Sequence, residues 1–504
     1  MRCCFVRLIL AVLTVACWDA AYGTPTVPGA SWVYPYFDEL RLREDTPTFL
    51  VMTGPYPRPD IARWLEAAGK DTLSGTSRTR WLRRMLRREL GPEISIDRAG
   101  DFLLTYGGVL SSCLETGQKV KPQLVLTLAA YGKEGVDLWG LFRTTANAPR
   151  DHKTETRPWR EDLRASFDYG GIGYTRGMLS LFIGRDEASW GPTRGGGLLL
   201  SGSAPSMDMV RLSLKTAGFR FTTFQSQLRR GENDPWDARV RRYASGHRAE
   251  FVVRKRFNFS LSEVVLYGGE GRTIEIGYSN PLAPFYAEQW NSGLEDNILA
   301  ACDCALLFPG RGEVRCEVLL DDFQVDKGSE PHEAGLGLDA RAMNPLFSDG
   351  SLVGVSYHLV TNRTYGHKVA WNRFVQEGMV MGYPAGPDGD RLEAWVSLAG
   401  GEPYLVTLGY EFVRRGEGRA SDPQAEPGKS LRFPSGVVEK THSLAAEIAW
   451  RPSYSLHVKA NAKWSRTVNA GNVEDDDDRT LRIGLWAEYA LRSAKPAPAG
   501  GADE

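Results

Sequence analysis

The chain has 504 residues, 42% of them hydrophobic and 24% charged, with a formal net charge of −1 at pH 7. A balance so near neutral argues against a nucleic-acid partner, and this length accommodates two domains or one very large one. No stretch reaches the roughly eighteen continuous apolar residues of a transmembrane helix. The first residues read as a secretory signal: Arg2 and Arg7 are followed by the short apolar run Leu8 to Ala16 and by Ala21-Tyr22-Gly23, so cleavage is expected after Gly23. The rival reading, a lipidated Cys17, is poorly served by Thr14 and Val15. Residues 24–100 read as a small helical domain on the periplasmic side. Pro59 stands at a first helical position ahead of Asp60, Ile61, Trp64, Leu65 and Ala68. A second helix, from about Thr76 to Leu90, gathers Trp81, Leu82, Met85, Leu86 and Leu90 on one face. Its other face carries Arg78, Arg80, Arg83, Arg84, Arg87 and Arg88, which suits either anionic phospholipid headgroups or a solvated surface.

From residue 101 to 492 the period becomes two. In Tyr454 to Trp464 the even positions are Tyr, Leu, Val, Ala, Ala and Trp, and the odd ones are Ser455, His457, Lys459, Asn461 and Lys463. One apolar face ending in aromatics and one polar face are what a strand between lipid and a wet lumen requires. Strands are expected at 101–113, 121–132, 135–144, 161–170, 175–184, 208–216, 219–228, 246–256, 257–267, 297–308, 313–323, 350–361, 366–375, 390–399, 404–413, 441–450, 454–464 and 480–491. These make eighteen, an even number, as a bacterial barrel needs. Short joins such as Gly218 and Arg451 to Ser453 alternate with long ones at 185–207, 229–245, 268–296, 324–349, 414–440 and 465–479. With both termini in the periplasm, every long join is extracellular. The fold class is therefore all-β: an 18-stranded antiparallel transmembrane outer-membrane barrel behind a helical domain, ending in a flexible tail, 493–504. Pairing 297–308 with 313–323 about Gly310 sets Cys304 opposite Cys316 and Cys302 opposite Val318 on the lipid side, with Asp303 opposite Glu317 inside. The two facing thiols suit either a cross-strand disulfide or small buried side chains.

Enzyme chemistry finds little support. Asp321 and Asp322 are neighbours in one strand and point to opposite faces, so they cannot flank one glycosidic bond. Asp303 and Glu317 face each other, but Arg315 beside them suggests a charge ladder bracing the wall. The glycine run Arg194 to Gly197 lacks the residues of a phosphate loop and reads as a turn. Asp475 to Asp478 reads as a solvated loop, and the seven scattered histidines suggest no metal site; no cofactor is expected. What remains is a polar and aromatic set that the topology puts at the outer rim: Arg185, Trp190, His247, Arg248, Tyr278, Asn280, Gln289, Trp290, Asn291, Asp296, Asp321 and Asp322. Such groups suit sugar hydroxyls, and they equally suit folding the loops over the barrel mouth.

At these residues the chain resembles the Wzi family of capsule-assembly outer-membrane proteins. The resemblance starts at Tyr36-Phe37-Asp38-Glu39-Leu40 and Tyr56-Pro57-Arg58-Pro59-Asp60-Ile61-Ala62-Arg63, and continues through Gly184-Arg185, Trp190-Gly191-Pro192, Leu199-Leu200-Ser201 and Ala204-Pro205. It is strongest at His247-Arg248, Glu263, Tyr278 with Asn280-Pro281-Leu282, Asn291, Asp296-Asn297 and Leu320-Asp321-Asp322-Phe323-Gln324. It implies an eighteen-stranded barrel behind a helical domain, and a non-catalytic role in holding capsular or extracellular polysaccharide at the cell surface. Outer-membrane lipid and the barrel-assembly machinery are then the other expected partners. An export or uptake channel and a glycan- or lipid-processing surface enzyme stand as alternatives. Barrels of this kind commonly finish on an aromatic residue, whereas Leu491-Arg492 here precede the tail; Trp486 to Tyr489 would have to serve as the assembly signal.

Overall fold

A computed structural model describes residues 31–44, 49–68, 76–90, 102–116, 120–132, 136–146, 163–231, 234–322, 333–343, 351–399, 403–422, 432–453 and 455–492. The expected signal peptide and tail lie outside the described residues. Eighteen antiparallel strands close into a barrel: β1 (Phe102–Glu115), β2 (Lys121–Gly132), β3 (Val136–Ala146), β4 (Leu163–Arg176), β5 (Leu179–Asp186), β6 (Met207–Lys215), β7 (Phe219–Leu228), β8 (Val240–Val253), β9 (Phe257–Glu270), β10 (Asn297–Phe308), β11 (Gly312–Asp322), β12 (Glu333–Met343), β13 (Leu352–Val360), β14 (Gly389–Leu398), β15 (Tyr404–Arg415), β16 (Glu439–Trp450), β17 (Leu456–Val468) and β18 (Asp478–Arg492). β18 pairs back onto β1, from Gly107↔Arg492 to Glu115↔Gly484, which removes any free edge. Outward positions such as Leu444, Ile448, Leu481, Ile483 and Leu485 are exposed apolar side chains. A closed sheet presenting such a belt is built to face hydrocarbon.

The expected register of the β10–β11 hairpin holds residue for residue, with Cys304↔Cys316, Cys302↔Val318 and Asp303↔Glu317. The facing thiols are free. Two strand assignments need correction. Residues 366–375, expected as a strand, lie in the long join between β13 and β14, with a short 3-10 turn at Ala370–Asn372. Their apolar side chains turn inward at the barrel mouth, where Phe374 is buried. The strand that completes the count is β12, inside the join expected at 324–349. Gly335, Gly337, Ala334, Ala340 and Ala342 are weak strand formers, and only Leu336 and Leu338 mark its outer face strongly. The count of eighteen survived because one error offset the other. Several boundaries also move, two of them by six residues: the expected 246–256 strand begins at Val240, and 161–170 runs on to Arg176, which shifts the next turn to Gly177-Met178.

Among the described residues, three helices precede the barrel: α1 (Val33–Arg43), α2 (Arg58–Ala67) and α3 (Ser77–Glu89). In α3 the Thr76 side chain accepts the Thr79 N–H, and Trp81, Leu82, Met85, Leu86 and Leu90 are all buried, as the spacing predicts. The basic face is not simply solvated. Arg78 is bidentate on Glu39, at 3.0 and 2.8 Å, and Arg83 meets Glu44 at 2.6 Å. These helices dock into the end of the barrel that carries the short turns. Arg41 reaches Glu313 at 2.7 Å, Asp38 lies 3.2 Å from Arg315 and 3.1 Å from Arg341, and the Gly310 N–H donates to Leu42 O.

Candidate functional site

From the opposite end, the join between β5 and β6 (187–206) folds into the lumen. Its two-residue strand Ser189–Trp190 pairs with Thr53–Gly54 of the N-terminal segment and with Leu200–Ser201. Inside the barrel, the two ends of the wall are thus joined by a small three-stranded sheet. Side chains of the wall hold it there. Glu250 accepts the Met52 N–H and the Thr53 hydroxyl, each at 2.8 Å. Arg248 donates to Met52 O, Thr53 Oγ1 and Ser262 Oγ and pairs with Asp303, which also accepts from Ser260. Glu317 accepts the Leu198 N–H at 2.7 Å and the Thr193 hydroxyl at 3.2 Å. A Cβ at Gly337 would stand 3.2 Å from Thr193 Cγ2, so the glycines that hid β12 are where the plug rests on the wall. Trp190, Leu198, Leu199 and Leu200 join Tyr365 and Phe374 of the join 361–388 in one buried cluster. The predicted turn at Arg194 to Gly197 is present inside this plug, with φ of 90° at Gly195 and 110° at Gly196.

The other half of the lumen is wet. Inward positions on β16, β17 and β18, among them Ala445, Asn461, Lys463 and Arg482, are open to solvent. Lys463 and Arg482 lie opposite each other across the β17–β18 pair. An ion-pair ladder runs from there to the plug. Lys463 meets Glu411 at 2.6 Å and Glu411 meets Arg391 at 2.7 Å; Arg391 meets Glu393 at 3.0 Å and Glu393 meets Arg194 at 3.3 Å. Arg194 ends it, its guanidinium 4.5 Å from the centre of the Trp395 ring. Beside it lies a cavity of about 670 Å³ lined by Tyr34, Arg143, Tyr169, Arg194, Asp339 and Trp395. Cations, amides and aromatic rings along a solvated wall can hold a chain of polar or acidic units.

The expected rim residues are dispersed by the structure into three settings. Trp190 is inside the plug, only 2% exposed, and Arg248 reaches it from the wall, its guanidinium 5.7 Å from the centre of the Trp190 ring. Asp321 is there too, accepting the Tyr365 N–H. Asp322 ends β11, and its side chain lies outside the described residues. Arg185 is on the outer wall, bidentate to Asp208 at 2.8 and 2.7 Å. The rest gather on the outside of the barrel under or within the join 271–296. His247 pairs with Glu263 at 3.2 Å, Tyr278 donates to Asp296 at 2.8 Å, and Gln289 donates to Asp296 O at 2.7 Å. Asn280 caps the Leu282 N–H, while Trp290 and Asn291 are exposed. Glu317 is buried in bonds to the plug, and Asp303 is buried in bonds to Arg248 and Ser260 of the wall, so Asp303 holds the plug only through Arg248; neither carboxylate is open to solvent. Among the described residues no cluster of His, Cys, Asp or Glu is arranged to hold a metal. The ladder was not singled out from sequence, although Lys459, Asn461 and Lys463 stood out as the polar face of their strand; its members come from four distant segments.

Comparison with known proteins bears on this architecture. Among solved structures, the chain is similar to Wzi of Escherichia coli, described as an outer membrane protein involved in group 1 capsule assembly and as a carbohydrate-binding β-barrel; the TM-score is 0.62 at 14% identity, over 90% of this chain and 96% of that one. It also matches the outer membrane protein OprD from Pseudomonas aeruginosa, with a TM-score of 0.45 at 11% identity, over 78% of this chain and 95% of that one. No curated protein matches by sequence. The family model for the capsule assembly protein Wzi matches residues 118–482, most of the barrel and both lumen-filling joins, and the chain belongs to that family.

Proposed function

We propose that this protein binds capsular or extracellular polysaccharide at the surface of the outer membrane, without catalysis, and helps retain or assemble it. The carrying observation is a lumen plugged from both ends on one side and lined on the other by solvated Lys463, Arg482 and Asn461 at the head of a charge ladder. Family membership supports the same reading, as does the carbohydrate-binding description of the similar barrel. In this reading residues 1–23 are a signal peptide, the helices of 24–100 face the periplasm, 493–504 is a tail, and the long joins are extracellular. Surrounding lipid and the barrel-assembly machinery are the remaining partners. Buried Trp190, His247, Arg248, Tyr278 and Asp296, with half-buried Asp321, act by holding the joins in shape, and the sugar meets the exposed cations and amides. The cations favour an acidic polymer, held by many weak contacts whose avidity replaces single-site affinity.

The test is retention of purified acidic polysaccharide on the reconstituted protein. Lys463→Gln with Arg482→Gln should weaken retention several-fold and flatten its salt dependence. Retention equal to wild type, with the barrel assembled, would remove the lumen wall from the site.

A further inference from the structure

The outer wall is not apolar all the way up. On β7, β8 and β9 the outward positions begin with Phe219, Phe251, Val253, Phe257 and Leu261 near the short turns. They then change to Thr223, Gln225, Ser245, His247 and Glu263, all outward because Phe224, Arg248 and Ser262 beside them point in. On β8 the apolar outward run, Val253 to Ala249, spans four residue steps, about 10 Å along the membrane normal at ordinary strand rise and tilt. A lipid-facing belt is about 25 Å tall. On β16 the outward run Trp450, Ile448, Ala446 and Leu444 is half as long again. Bare amides and a carboxylate at that depth would be costly in hydrocarbon.

The join 271–296 closes this gap by folding back over the outside of the wall. Phe285 opens helix α4 (Phe285–Ser292) and its ring lies 4.2 Å from that of His247; its N–H donates to Glu263 at 3.1 Å. Gln225 donates to Tyr278 O at 2.6 Å. Tyr278 and Phe285 bury Tyr243, Val265 and Tyr267 of the wall. The join is braced: Arg272 is bidentate on Asp296, at 2.6 and 2.7 Å, and Gly293, with φ of 61°, ends α4 while the Leu294 N–H donates to Gln289 O. Having turned its polar bonds inward, the flap presents apolar groups outward. Ile276 is 87% exposed, Leu282 86%, Trp290 76% and Tyr286 66%, the last two stacked with centroids 6.4 Å apart.

We infer that this flap is a lipid-facing element of the barrel, whose Ile276, Leu282, Tyr286 and Trp290 lie in the acyl and headgroup boundary of the outer leaflet. The occupant is identified by continuity, since the flap covers the only polar step in the belt on these three strands and carries it upward with apolar surface. A stacked Tyr–Trp pair is also the side-chain chemistry of a membrane interface. The inference rests on the barrel spanning a membrane and is independent of polysaccharide binding.

The experiment reconstitutes the mature chain and its Trp290→Phe variant in phosphatidylcholine vesicles with plain or brominated acyl chains. The difference between the two emission spectra isolates Trp290. That difference should fall at least about twofold in brominated vesicles and respond little to aqueous acrylamide. A second probe, a nitroxide on Leu282→Cys with Cys113, Cys302, Cys304 and Cys316 changed to Ala, should be relaxed by oxygen far more than by a water-soluble nickel chelate. Acrylamide quenching without bromine quenching, with nickel access at 282, would overturn the inference and return the flap to water. If added polysaccharide then shielded Trp290 from acrylamide, the face would be a sugar site.

Discussion

Replacing Arg248 by methionine keeps most of the side-chain length and removes the cation on which the plug is hung. Arg248 donates to Met52 O, Thr53 Oγ1 and Ser262 Oγ, and it neutralises Asp303, which is 1% exposed. Without it, Ser260 is the one side-chain donor left to Asp303 among the described residues, in a buried site. Removing one partner of a buried pair costs about 3–5 kcal/mol, because the remaining charge stays buried. At the lower figure, local opening becomes more than about a hundredfold more frequent. Amide exchange at Gly191, whose N–H donates to Met52 O, and at Met52, whose N–H donates to Glu250, reads this directly in detergent or vesicles. Arg248→Met with Asp303→Leu removes both charges and should recover most of the loss. A single variant that changes exchange less than about fivefold, or a double variant no better than the single, would refute the view that this pair anchors the plug.

Other outcomes follow from the same structure. Burial raises the Asp38 carboxyl, but Arg341, Arg315 and Arg41 outweigh it and hold it at about 2. A depressed value means that this contribution to docking is complete above the ordinary carboxylate range and is lost as pH falls through about 2. Protection of the Gly310 amide, bonded to Leu42 O, should therefore be flat from pH 7 to about 5 and fall only in strong acid; Asp38→Asn should lose protection already at pH 7. Gly337→Val forces methyls against Thr193 and should cost about 1–3 kcal/mol, seen as plug opening in planar-bilayer conductance, whereas the wild type stays closed. Cys302 is on the outer wall as a free thiol, so a lipid-soluble maleimide should label it in vesicles while a sulfonated one does not.

The barrel was legible because a wall between lipid and water writes its two faces into alternate residues, and because joins sort by length. Even the register of β10 with β11, down to Cys304 opposite Cys316, could be read from one turn and one pattern. β12 was not legible, since its glycines, against which Leu198 and Thr193 of the plug lie, lack the marks of a strand. The site was less legible than the wall. Trp190, Arg248 and Asp321 were expected at the rim and instead hold the plug, because aromatic and charged residues look alike in sequence whether they meet a ligand or fold a loop inward. Nothing local distinguishes a join that enters the lumen, 187–206, from one that folds down the outer wall, 271–296. That choice depends on partners such as Glu317 and Glu263, far away in the chain.

The most direct test of the account is deletion of this protein from its own cells, followed by measurement of cell-bound against shed polysaccharide. Retained polymer should fall while total synthesis stays level, and wild-type protein should restore it where the Lys463→Gln, Arg482→Gln variant does so poorly. Unchanged retention in the deletion strain would contradict a polysaccharide-holding role and leave only the barrel standing.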